Sequence, residues 1–157
     1  MSLRIEKRDA GYLLAARTWL PRAVGEVFDF FGSAHNLERI TPPFLRFEIL
    51  TPEPIVMGAG TRLDYRLRLH GVPVRWQSEI KEWEPPHRFV DEQIHGPYRW
   101  WVHEHRFREL DGGTEMTDEV RYGVPGGALV HRLFVKRDLL QIFEYRAAQF
   151  ERIHAQA

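Results

Sequence analysis

Residues 96–124 read Gly-Pro-Tyr-Arg-Trp-Trp-Val-His-Glu-His-Arg-Phe-Arg-Glu-Leu-Asp-Gly-Gly-Thr-Glu-Met-Thr-Asp-Glu-Val-Arg-Tyr-Gly-Val. Two alternating arms flank a glycine pair, which is the pattern of a β-hairpin. Gly112-Gly113 suits a two-residue primed turn, because both central positions can take φ > 0 without steric cost. That turn pairs Asp111 with Thr114. Counting back, Phe107 faces Asp118, His105 faces Val120 and His103 faces Tyr122. On the other face Arg106 meets Glu119 and Glu104 meets Arg121, two opposite-charge pairs that mark the wet side. The inner face then carries Trp101, His103, His105, Phe107, Asp118, Val120 and Tyr122. Aromatics mixed with two histidines and an aspartate are unusual for a plain core. They suit the wall of a pocket.

The rest of the chain sets this hairpin in context. Tyr12–Leu20 alternates loosely and reads as a first strand. Pro21 opens a helix at its favoured first-turn position, and Val24, Val27, Phe28 and Phe31 repeat at helical spacing. A second short helix over 36–40 is stopped by Pro42-Pro43. Residues 44–50 read as a strand. From Thr61 onward Leu63, Tyr65, Leu67 and Leu69 alternate with Arg62, Asp64, Arg66 and Arg68, a half-buried strand with a solvated arginine face. Gly71 turns the chain into a strand over 72–83, and 89–94 leads into the hairpin. Six or seven strands joined by short turns make an antiparallel sheet.

The last element differs. From Ala128 to about His154 there is neither Pro nor Gly, and Leu129, Leu133, Leu140, Phe143, Ala147 and Phe150 form a stripe at three- and four-residue steps. This predicts an amphipathic helix of about 25 residues, roughly 38 Å long at 1.5 Å per residue. An antiparallel sheet with an apolar face must be covered, and this helix is the available cover. The fold class is therefore α+β: a curved antiparallel sheet wrapped around a long C-terminal helix, with two short helices after the first strand. A sheet curved around one helix leaves an elongated cavity between them.

Composition limits the partners. The 157 residues suit one domain spanning 1–157. Lys+Arg and Asp+Glu both number 22, so the surplus of positive charge that phosphate contacts need is missing and nucleic acid is not an expected partner. There is no cysteine, which excludes a disulfide framework and a thiol nucleophile. No apolar run approaches the roughly 20 residues of a membrane span, and residues 1–10 lack the apolar centre of a signal peptide. A cytoplasmic protein is expected.

The element order, with the Trp-x-His-x-His-x-Phe strand at 101–107, the Thr-x-Met-x-Asp-x-Val-x-Tyr strand at 114–122 and Ile142-Phe143-Glu144-Tyr145-Arg146, resembles the helix-grip superfamily. That group takes in START lipid-transfer domains, Bet v 1-like proteins and polyketide cyclases/dehydrases. More narrowly, the chain is similar to bacterial ligand-binding SRPBCC proteins of unassigned function, from about Tyr12 to Phe150. The resemblance implies the fold and an internal pocket for an apolar ligand. It does not specify a reaction, because carriers, receptors and enzymes share this scaffold.

Three functions follow as alternatives. The first is binding or carriage of a small, mostly apolar or aromatic molecule between sheet and helix. Its candidate contacts are Tyr65, Trp76, Gln93, Trp101, His103, His105, Phe107, Val120, Tyr122, Leu140 and Phe143. Gln93 is costly to bury without a bond, so it needs a partner or a ligand. If Asp91 shares its face, the pocket holds a second acid. The second is a cofactor-free cyclase or dehydratase, with His103, His105 and Asp118 as acid–base groups. An enzyme of this kind needs the His–Asp pair in contact, shifted in pKa and beside open space; a carrier can have the same groups mutually satisfied and away from the void. No Gly-x-Ser-x-Gly, phosphate loop or dinucleotide motif is present. The third is a metal site of cupin type, since Gly96, His103, His105 and Glu109 approach one such motif and Pro125, Gly127 and His131 echo another. Its spacing is one residue too long between Gly96 and His103, and a cupin has no place for the long helix. No metal or cofactor is therefore expected. The dull reading of both histidines is a buried, satisfied core pair.

Overall fold

Each alternating stretch becomes a strand, and each alternation decides which side of the sheet is buried. A computed structural model of the chain describes residues 1–155. Its strands are β1 Ser2–Arg8, β2 Gly11–Leu20, β3 Glu48–Ile49, β4 Arg62–Leu69, β5 Val72–Glu84, β6 Arg88–His95, β7 Trp100–Leu110 and β8 Gly113–Gly123. They form one antiparallel sheet in the order β1-β2-β8-β7-β6-β5-β4-β3. Two short helices, α1 Val24–Phe31 and α2 Ala34–Arg39, follow β2. The C-terminal helix begins as α3 Gly127–Val130, passes through a π-helical turn at His131–Val135 and continues as α4 Lys136–Ala155. Among the described residues no helix is long and apolar enough to cross a membrane.

Eight strands form where six or seven were expected. The additional one is β1, which pairs with β2 from Ser2↔Arg17 to Arg8↔Gly11. Its Leu3 and Ile5 pack on the core, but dense flanking charge hides a two-residue alternation at an edge. The strand expected over 44–50 shrinks to Glu48–Ile49, because Pro43–Leu45 closes a 3₁₀ turn first.

The decisive hairpin keeps its faces but not its register. Asp111 and Gly112 take φ of 51° and 75°, so the turn is Asp-Gly and not Gly-Gly. Asp-Gly is itself a strong primed-turn pair. Gly113 already belongs to β8, where an added Cβ would lie 2.7 Å from the Trp19 ring and 2.5 Å from a backbone oxygen. The pairing thus slips by two residues: Trp101↔Tyr122, His103↔Val120, His105↔Asp118 and Phe107↔Met116. A two-residue slip returns every side chain to the same face. The cross-strand ion pairs that had suggested the other register do not form. Glu104 lies opposite Glu119, and each acid is answered elsewhere, Glu104 by Arg88 at 2.8 Å and Glu119 by Arg121 at 3.8 Å.

The helix stripe is also shifted. Leu129 and Leu133 are 58% and 55% exposed, and Leu140 is only partly buried. The buried series is His131, Leu139, Phe143, Arg146 and Phe150, still at helical steps. Two of its five members are polar, so a hydrophobic count follows the wrong phase of the helix.

Two apolar clusters hold the helix to the sheet. One gathers α1, Phe107, Met116 and Phe150; the other gathers Leu14, Trp101, Val120, Tyr122, Leu139 and Phe143. Along β7 the inner face thus reads apolar, His103, His105, apolar. Along α4 it reads Phe143, Arg146, Phe150. A polar layer crosses the molecule between the clusters.

Candidate functional site

Strand register builds this layer. Asp91 on β6 lies opposite His103 on β7, and His105 lies opposite Asp118 on β8. The hydrogen bonds run along the diagonals: His103 Nε2 lies 2.7 Å from Asp118 Oδ1, and His105 Nε2 lies 2.7 Å from Asp91 Oδ2. His105 Nδ1 is 3.3 Å from Asp118 Oδ1. Arg146 closes the layer from the helix, with Nη1 3.6 Å from Asp118 Oδ1. The two imidazoles stack at 3.6 Å, and Phe89 stacks on His105 at 4.0 Å.

Burial and pairing divide the protons. Burial, then the neighbouring His105, pushes His103 down to about 4, so its imidazole is neutral at pH 7. Burial acts the same way on His105, but Asp118 and Asp91 on either side outweigh it and raise its pKa. A carboxylate oxygen lies within 3.3 Å of each nitrogen, so with a proton on both the ring is an imidazolium. Burial would raise Asp118; the Arg146 charge and the two imidazoles hold it well below the usual carboxylate range. Asp91 is lowered too, chiefly by its bond to His105 against the opposing effect of burial. Two carboxylates, one guanidinium and one imidazolium then sum to zero, which is how a buried charge cluster is tolerated.

Beside the layer lies a cavity of about 190 Å³. Its walls are chiefly apolar, with Leu63, Leu67 and Ile80 from the sheet, Phe31 and Leu37 from the short helices, and Ile142 from α4. One wall is polar: Asp91, His103, His105 and Arg146. A second hollow of about 310 Å³, reaching Asp29, His35 and Glu53, shares Ser33, Ala34 and Met57 with the first.

Of the residues expected in the pocket, Tyr65, Trp76, Trp101, His103, His105 and Phe143 line it. Gln93 does not. Its amide donates to the Tyr98 carbonyl at 2.8 Å and accepts from the Tyr98 N–H at 3.2 Å, stitching the bend before β7. Phe107 and Val120 fill the two apolar clusters. Tyr122 is buried against the helix start, its hydroxyl 2.8 Å from His131 Nε2. Leu140 yields to Leu139, one residue earlier on the true stripe. Asp118 stands behind the histidines and does not line the hollow. For Asp118, Val120 and Tyr122 the cause is that the cavity lies off β4–β7, whereas β8 packs directly on the helix. Arg146 is the charged lining residue that sequence reasoning missed. Its signal was a charge three residues after Phe143 and four before Phe150, on the buried stripe.

The metal alternative fares poorly on geometry. Glu109 is exposed beside the turn, and His131 stacks on Tyr12 at 3.5 Å, so the cupin-type set does not assemble. Asp91, His103 and His105 do bring possible ligand atoms within 4.8 Å of one another. Stacked imidazoles, however, send their in-plane lone pairs side by side and not toward one point, and a guanidinium adjoins them.

Comparison with known proteins agrees with this architecture. The profile of the family described as polyketide cyclase / dehydrase and lipid transport matches residues 20–151. Among curated proteins, none matches the chain. Similar solved structures include protein Ms6760 from Mycobacterium smegmatis, with TM-score 0.72 and 15% identity over 99% of each chain. TTHA0849 from Thermus thermophilus aligns with TM-score 0.68 and 22% identity, covering 92% of this chain and 99% of that one. Major latex-like protein 151 from Panax ginseng aligns with TM-score 0.66 and 14% identity, over 90% and 96%. At these identities the likeness is one of fold.

Proposed function

Because the chain belongs to the polyketide cyclase / dehydrase and lipid transport family, within the helix-grip superfamily, we propose that it binds one small, largely apolar molecule between sheet and C-terminal helix. The observation that carries this reading is the hollow itself, apolar on most sides and polar on one. At about 190 Å³ it falls below the roughly 300 Å³ typical of drug-sized ligands. It exceeds the ~150 Å³ void that holds benzene in another protein. A one-ring or compact two-ring molecule fits this space better than a long-chain lipid.

The test is native mass spectrometry of the protein purified from its own host. One co-purifying small molecule is expected. Leu67→Trp, which fills the hollow from β4, should abolish that adduct and weaken uptake of ethylbenzene at least tenfold. An empty wild-type protein that also takes up no ethylbenzene would overturn the reading.

A second reading, cofactor-free cyclisation or dehydration, draws on the His105–Asp91 contact lying on the cavity wall. It is the weaker one. Both nitrogens of His105 are engaged by carboxylates, and His103, lowered to about 4, is a poor base at pH 7. If the reading holds, the co-purifying molecule is converted by the wild type and only bound by His105→Gln. Conversion persisting in that variant would exclude the role.

A further inference from the structure

One donor of a cavity-lining side chain has no partner. The Arg146 side chain is only 10% exposed, and its Nε is buried without a hydrogen-bond partner. Its other contacts are long. Nη1 lies 3.6 Å from Asp118 Oδ1, an oxygen already shared by both histidines. Nη2 lies 3.4 Å from His105 Nδ1, a nitrogen that is also 3.3 Å from Asp118 Oδ1. With a proton on that nitrogen, both groups are donors and no hydrogen bond forms between them. The guanidinium carbon sits 4.9 Å from the Phe31 ring and 5.7 Å from the Phe143 ring. Such stacking holds the cation by its flat faces and leaves the in-plane Nε–H unfilled. A buried donor left unpaired is costly, more so when charged.

Charge decides what would satisfy it. The layer is neutral when His105, held between Asp91 and Asp118, carries a proton. A carboxylate ligand would bring an uncompensated negative charge into the interior, next to two carboxylates. A neutral oxygen brings none.

We infer that the molecule bound here carries a neutral oxygen acceptor, a ketone, aldehyde or ester carbonyl, and that Arg146 receives that oxygen. This rests on the binding reading above and specifies its ligand class. The hydrocarbon skeleton occupies the side walled by Leu63, Leu67 and Ile80, and the carbonyl turns toward α4.

Three probes of similar size test this: acetophenone, ethylbenzene and benzoate, titrated into the whole protein at pH 7 by NMR. Acetophenone is expected to bind about tenfold or more tightly than ethylbenzene, the margin of a charge-assisted hydrogen bond, and more tightly than benzoate. The Arg146 Nε–H resonance of the wild type should move with acetophenone and stay in place with ethylbenzene. Arg146→Lys keeps the charge but loses the fork; it should shrink the ratio of ketone to hydrocarbon affinity below about threefold. Equal affinities for ketone and hydrocarbon in the wild type would overturn the inference and leave the cavity reading intact. So would a margin that survives Arg146→Lys, or benzoate binding most tightly. If ethylbenzene and acetophenone both fail to bind, the cavity reading fails and this inference with it. The wild-type comparison does not depend on the variant folding.

Discussion

Asp118→Ala loses about 3–5 kcal/mol of stability in urea denaturation at pH 7, the usual cost of removing one partner from a buried charge cluster. Asp118 answers three groups at once, His103 and His105 through hydrogen-bond-range contacts and Arg146 by charge. Its removal strands the Arg146 guanidinium between two apolar clusters and leaves His105 with Asp91 alone. A domain has only about 5–15 kcal/mol in total, so the variant sits near the edge of folding. Adding Arg146→Met should restore part of the loss, because the stranded guanidinium is then gone; removing two independent contributions would instead deepen it. A loss below about 1 kcal/mol for Asp118→Ala would mean that the layer is hydrated and inexpensive to break.

The second large effect depends on pH. His103 titrates at about 4 in the folded chain against about 6.5 when unfolded. Between those values the unfolded chain takes up the proton first, so stability falls as pH falls, by about 3 kcal/mol from pH 6.5 to 4. The other members of the layer do not contribute to this slope. His105 is raised; its stabilisation is fully present below about 6.5 and is lost as pH rises through its folded value. Asp91 and Asp118 are lowered; their stabilisation holds above about 3.8 and is lost as pH falls through their folded values. His131, lowered mainly by burial, slopes the same way as His103 in wild type and variant and cancels in the difference. Urea titrations of the wild type and His103→Gln from pH 4 to 6.5 should therefore differ in slope by about that amount. Parallel curves would show that His103 is protonated in the native state.

What could be read in advance follows from what each signal reports. Two-residue alternation is a burial signal, so the faces of β4, β7 and β8 were legible, and with them the convergence of His103, His105 and Asp118. Register is set by turn geometry, and the tripeptide Asp111-Gly112-Gly113 offers two primed turns whose registers differ by two residues. Charge pairing chose between them wrongly, because Glu104 and Arg106 are satisfied by neighbours on β6 and on their own strand. The helix was legible in extent and not in phase. His131 and Arg146 occupy buried positions that a hydrophobic stripe counts as surface. Gln93, Phe107, Val120 and Tyr122 were correctly read as facing inward, yet inward is not the same as lining a void. Where the helix stands away from β4–β7 depends on the packing of both clusters together, which no local pattern encodes.

The layer also bears on how the interior could change size. It takes Asp91, His103, His105, Asp118 and Arg146 from three strands and one helix, and it lies between greasy regions on either side. Sliding α4 lengthwise by one turn, roughly 5.4 Å, would carry the guanidinium away from Asp118 and set a leucine or phenylalanine against carboxylates. The helix therefore has a single stop along its axis. Guests of different bulk must be accommodated elsewhere, at α2 and the Pro43–Leu45 turn, whose Ala34, Leu37 and Leu45 touch the hollow and carry none of the ionic lock.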